Sequence, residues 1–96
     1  MVQKHIHIYT KNKYEILREI KLMTVREFTS RVLYTQKIII VKWRDFDKCK
    51  DIDDIRKAAL MVGENYQLKS VNYEKVNNML VDSYDVMDDT FIIKVH

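Results

Sequence analysis

Ninety-six residues, 47% hydrophobic and 32% charged, fit one globular, soluble domain over residues 1–96, with a single core and little stability in reserve. One cysteine excludes an internal disulfide, and a single glycine excludes a glycine-rich phosphate cradle or dinucleotide fingerprint. The net charge of +3 is uneven: twelve Lys and Arg face five Asp and Glu in residues 1–50, against five and nine in residues 51–96. No apolar run reaches membrane-spanning length and no signal-peptide core opens the chain, so a cytoplasmic protein is expected. Abundant Lys, Ile, Asn, Asp and Tyr are the residues of AT-rich codons, which points to an AT-rich bacterium or its phage.

In chain order, His5-Ile6-His7-Ile8-Tyr9 alternates and Lys11-Asn12-Lys13 breaks the alternation. Tyr14, Ile16, Ile20 and Leu22 then share one face if the segment is extended, although Ile16, Leu17 and Ile20 also suit a helix. Length and the intervening turn predict a β-hairpin. Thr24-Val25-Arg26-Glu27 is a capping box with Met23 and Phe28 at the staple positions. Val25, Phe28, Val32 and Leu33 continue as one stripe, predicting a helix from Thr24 to about Tyr34, with Glu27 and Arg31 paired outside.

Lys37 to Trp43 reads as the central strand. Ile38-Ile39-Ile40-Val41 is a run of β-branched aliphatics that points side chains to both faces, so both faces must be covered, by helices on each side or by a partner on one. Arg44 to Lys50 reads as a polar loop. Asp51 caps a second helix, with Asp53 and Asp54 in its first turn, Ile52, Ile55, Ala59 and Val62 inward, and Gly63 as a left-handed C-terminal cap. Tyr66 to Lys69 suits a short edge strand. Asn72 caps a third helix with Val76, Met79, Leu80, Ser83 and Met87 inward. Asp88-Asp89 turns the chain into a last strand, Thr90 to Val95, lying beside the central one. The expected fold is α+β: an N-terminal hairpin, then alternating helices and strands on a mixed sheet. In order of elements this resembles a β-grasp layout.

The candidate chemistry is sparse. His5 and His7 share a strand face, as paired zinc ligands do, with His96, Cys49, Asp45 or Asp47 as a third ligand. Nothing fixes their spacing further, and a solvated strand face explains them, so no metal and no cofactor is expected. Cys49 stands between Lys48 and Lys50, which would lower its pKa if exposed, but no base accompanies it. Asp45, Asp47, Asp51, Asp53 and Asp54 lack the glycine and terminal glutamate of a calcium loop. Asp82, Asp85, Asp88 and Asp89 read as a solvated helix end, with the capacity to mimic phosphates for a basic partner.

The strongest group is Lys42-Trp43-Arg44 with Lys48 and Lys50, joined by Lys11 and Lys13 if the hairpin packs alongside. Cations interleaved with an aromatic suit an interface or phosphate contact with base stacking. In size and composition the chain resembles small phage or mobile-element inhibitors, anti-CRISPR proteins among them. That resemblance implies a non-enzymatic binding protein that modulates a larger protein or nucleoprotein complex of host defence or nucleic-acid processing. The alternative is a direct DNA- or RNA-binding module using the basic N-terminal half. No membrane partner is expected, and a homodimer is compatible with either reading.

Overall fold

The computed structural model describes residues 22–96; the expected hairpin, with His5, His7, Lys11 and Lys13, lies outside them. The described fold is built on β1 (Lys37–Lys42), whose four inner residues are fully buried between exposed end lysines. Its side chains alternate as a pleated strand requires. Ile38 and Ile40 enter one core layer, while Ile39 and Val41 enter the other.

β1 pairs antiparallel with β2 (Met61–Glu64) and parallel with β4 (Thr90–Val95), and β3 (Val81–Met87) adds antiparallel to β4. The sheet order is β2-β1-β4-β3, a four-stranded mixed sheet, and the fold is α+β as expected. The last strand does lie beside the central one, with Ile39 opposite Ile92 and Ile40 opposite Ile93. Asp88 and Asp89 close the β3–β4 hairpin with φ of 49° and 59°. Two successive left-handed residues match the twist of a tight hairpin, and aspartate tolerates that region better than most residues.

Helices cover both faces, so the sheet is not two-layered. On the Ile38–Ile40 side stand α1 (Val25–Thr29), 3-10 turns at Asn65–Lys69 and Val71–Tyr73, and α4 (Glu74–Asn77). They bring Val25, Phe28, Leu68, Tyr73 and Val76 against Met61, Val81, Ile93 and Val95. Phe28, Tyr84 and Phe91 form an aromatic row at its edge, with ring centroids 5.2 and 5.9 Å apart. On the Ile39–Val41 side, α2 (Trp43–Phe46) and α3 (Ile52–Ala58) contribute Phe46, Ile52, Ile55 and Ala58. No helix among the described residues is long and apolar enough to cross a membrane.

The capping box forms as read: Thr24 N donates to Glu27 Oε1 at 3.0 Å, and Glu27 N donates to Thr24 Oγ1 at 3.2 Å. The helix stops at Thr29, short of Tyr34, because side chains take over its last carbonyls. Thr29 Oγ1 donates back to Val25 O at 2.8 Å and Ser30 Oγ to Glu27 O at 2.7 Å. Asn65 Nδ2 then binds the carbonyls of Thr29, Val32 and Leu33. Leu33, expected inside, is exposed.

The hydrogen bond from the Thr24 backbone, and after it the Thr24 hydroxyl, hold the Glu27 carboxyl below its ordinary pKa. A depressed folded pKa means the box contributes stability above the unfolded pKa and loses it as pH falls through the folded one. Wild type should therefore be more stable than Glu27→Gln near neutrality, and the gap should close as pH falls through the lowered folded pKa. Urea unfolding of both proteins across that range checks this.

Other expectations give way to long-range pairing. The second helix ends at Ala58 and Ala59 is already extended, so Gly63 caps nothing. It sits in β2 opposite Ile38, and φ there is not positive. A Cβ at Gly63 would collide with Gln67 Oε1, which accepts from Glu64 N at 2.7 Å. Residues Asn65 to Lys69 turn as a 3-10 helix and not an edge strand. Ser70, not Asn72, caps the following turn: its Oγ accepts from Asn72 N at 3.3 Å. The third helix is only Glu74–Asn77, and Ser83 and Met87 belong to β3.

Candidate functional site

β1 runs straight into a helical turn. Lys42 is extended (φ −67°, ψ 136°), and Trp43 opens α2, closed by Asp47 N to Trp43 O at 3.0 Å. The expected Arg44–Lys50 loop is therefore helical in its first part. The turn is anchored by Phe46, which packs on the Ile39–Val41 layer and carries Lys94 Nζ 4.3 Å from its ring centroid. With Phe46 held inward, Trp43 stays at the surface, 36% exposed, and belongs to neither core layer. Arg44 Cζ lies 5.6 Å from its ring centroid, a cation–π contact.

Parallel pairing of Lys42 with Val95 sets the carboxyl ends of β1 and β4 side by side. His96 then joins Lys42, Trp43, Arg44 and Asp45 around a recess of about 520 Å³. Recesses at the carboxyl ends of parallel strands are a recurrent place for ligands, because rigid strands hold the residues that open there. His96 is tied by its backbone N to Leu80 O at 3.4 Å, and its Nε2 lies 3.7 Å from Asp82 Oδ1.

Lys48 and Lys50 are exposed in the connection from α2 to α3 but do not line this recess. Lys11 and Lys13 lie outside the described residues. Lys42, Arg44, Lys48 and Lys50 form no ion pair among the described residues. Yet Asp45, Asp47, Asp51, Asp53 and Asp54 share the same stretch, so the cations do not make a one-sign patch. Lys and Arg equal Asp and Glu in residues 22–96, which leaves the whole +3 in residues 1–21.

Cys49 is half-buried against the Ile39–Val41 layer, and its Sγ donates to Asp45 O at 3.2 Å. Burial pushes its thiol pKa up, helped by the charges of Asp54, Asp45 and Asp51. This reverses the expected effect of Lys48 and Lys50, and a thiol held protonated is a poor nucleophile. The nearby aspartates do cap and brace: Asp51 Oδ1 accepts from Asp54 N at 2.9 Å, Asp54 Oδ2 from Lys50 N at 3.0 Å, and Asp53 pairs with Arg56 at 3.1 Å. No group of three or more His, Cys, Asp or Glu is poised for a metal among the described residues. Asp82 and Asp85 lie on β3 and Asp88–Asp89 in the hairpin turn, so the acidic stretch is no helix end. Lys94 Nζ binds Asp85 Oδ2 at 2.9 Å.

The structure thus brings Lys42, Trp43 and Arg44 together and leaves Lys48 and Lys50 beside them. It adds Asp45, from the same helical turn, and His96, whose place in the recess follows from β1–β4 pairing and has no local signal. None of the family models, curated proteins and solved structures compared with the chain matches it.

Proposed function

We propose that this is a non-enzymatic binding module that engages a protein partner through Lys42, Trp43, Arg44 and His96, with Lys48 and Lys50 at the rim. The observation that carries the reading is Trp43: an indole left at the surface, at the end of the most deeply buried strand, under an arginine. Tryptophan and arginine are the residue types that most often dominate interface energies. The module acts by occupancy, modulating a larger complex by covering one of its surfaces. Its size and codon-biased composition support an origin in a phage or mobile element.

A protein partner is favoured over direct DNA or RNA binding by the charge balance. Affinity for a phosphate backbone rests on uncompensated cations, and here five carboxylates share the stretch with four cations. The test is capture by wild type and by Trp43→Ala from a bacterial host extract, followed by kinetics with the purified captured protein. Trp43→Ala should raise the dissociation rate by about thirtyfold, the equivalent of about 2 kcal/mol. Lys48→Ala with Lys50→Ala should mainly slow association and flatten its salt response. Equal kinetics for Trp43→Ala and wild type, or retardation of nucleic acid at low salt that Trp43→Ala and the lysine variants abolish, would overturn the reading.

A further inference from the structure

Buried polar side chains are few in this fold, and they are not scattered. Among the described residues, four polar side chains are buried: Thr29, Asn65, Asn77 and Thr90. Three of them, Thr29, Asn65 and Asn77, line one recess of about 610 Å³ between α1, the Asn65–Lys69 turn and α4. It lies on the face away from α2 and α3, next to the Gln36 end of β1, where Asn65 N binds Gln36 O at 2.8 Å. It is separate from the Trp43 surface.

The two amides are fixed in orientation by their own donors. Asn65 Nδ2 gives to three carbonyls and Asn77 Nδ2 to Leu68 O at 2.7 Å, so each Oδ1 is the free end. Neither Oδ1 accepts a hydrogen bond among the described residues, although Asn65 is only 8% and Asn77 6% exposed. Buried acceptors left without donors are costly and call for an explanation. A ligand carrying N–H donors would supply one.

The rim narrows the ligand class. Arg26 and Lys69 stand on it as cations, against the single carboxylate of Glu74, and neither has an ion pair with a described residue. Tyr34 and Tyr66 also line it, both exposed and joined through Tyr66 N to Tyr34 O at 2.8 Å. A cavity of this volume with a few convergent polar groups is the usual form of a small-ligand site.

We infer that this recess binds a nucleotide, with the base donating to the Asn65 and Asn77 carboxamide oxygens and a phosphate held by Arg26 and Lys69. A base offers N–H donors in the plane of its ring, an amino group in adenine and cytosine, a ring N–H in uracil and both in guanine, together with a π face for tyrosine, and the same unit brings the anion. A peptide group would satisfy one acceptor and bring no anion to the cations. The same chemistry is offered by a free mononucleotide or by one unit of a single strand.

The test is calorimetric titration of the full chain with AMP, GMP, CMP and UMP, a single-stranded tetranucleotide, and inorganic phosphate alone. One site per chain is expected for at least one nucleotide or for the tetranucleotide, with phosphate alone weaker. Tyr66→Ala and Lys69→Ala, both at exposed positions, should each weaken that binding by about tenfold or more while melting like wild type. Lys57→Ala, at an exposed position of α3 outside both recesses, should bind as wild type does. Tighter binding of the mononucleotide than of the tetranucleotide marks a free ligand, and the reverse marks a strand. No binding by any nucleotide or the tetranucleotide, binding unaffected by both rim variants, or phosphate bound as tightly as the nucleotide would overturn the inference.

Discussion

Ile40→Ala should lower the unfolding free energy by about 2–5 kcal/mol, and Ile39→Ala, its immediate neighbour, should also fall in that range. The two residues are 0% and 1% exposed and face opposite layers, so each truncation opens a cavity in a different core. Ile40 should be the more severe, because its layer holds eight buried apolar residues, itself included, against four in the layer of Ile39. Urea unfolding of the two single variants checks this. A severe Ile40→Ala beside a near-neutral Ile39→Ala would mean that α2 and α3 do not cover their face.

Asn65→Asp should destabilise the protein by about 1–3 kcal/mol, although the side chain barely changes size. A carboxylate has no donor for the carbonyls of Thr29, Val32 and Leu33, which Asn65 Nδ2 meets at 2.9, 2.9 and 3.2 Å. It would also place a charge in a buried site. Amide exchange should quicken from Ser30 to Gln36, the stretch this side chain pins. Unchanged stability in Asn65→Asp would show that the segment is held by other contacts.

What could be read from the chain alone divides by the range of the interaction. The central strand was legible because four consecutive β-branched aliphatics have no comfortable place except between two layers. The Thr24–Glu27 box and the Asp51 cap were legible because capping is settled within three residues. β3 was not. Met79, Leu80, Ser83 and Met87 are spaced as a helical stripe, and Asp82 and Asp85 weaken the alternation of an edge strand. The decision comes from outside that stretch: the Asp88–Asp89 turn aligns Met87 with Thr90, and the ladder with β4 follows. Gly63 failed for a similar reason. Its small size serves the approach of Gln67, which no local rule reveals.

The candidate surface shows the same division. Lys42, Trp43 and Arg44 are neighbours in sequence, so their grouping could be read directly. His96 reaches them only through the parallel β1–β4 pairing, which joins segments more than fifty residues apart. Asn65 and Asn77 look like any other asparagines until the fold buries them. Cys49 reversed its expected behaviour because the lysines beside it in sequence matter less than burial and the carboxylates around it in space.

The binding surface depends on Trp43 standing at the surface and not plugging the core. The chain has a single tryptophan, so its fluorescence reports that side chain alone. Quenching of the native protein by iodide and by acrylamide is the direct measurement. The indole should be open to both quenchers, and iodide, an anion, should be helped by Lys42 and Arg44, so that quenching by iodide weakens in Arg44→Gln. Emission shielded from both quenchers until the protein unfolds would place Trp43 in the core and remove the basis for the binding surface.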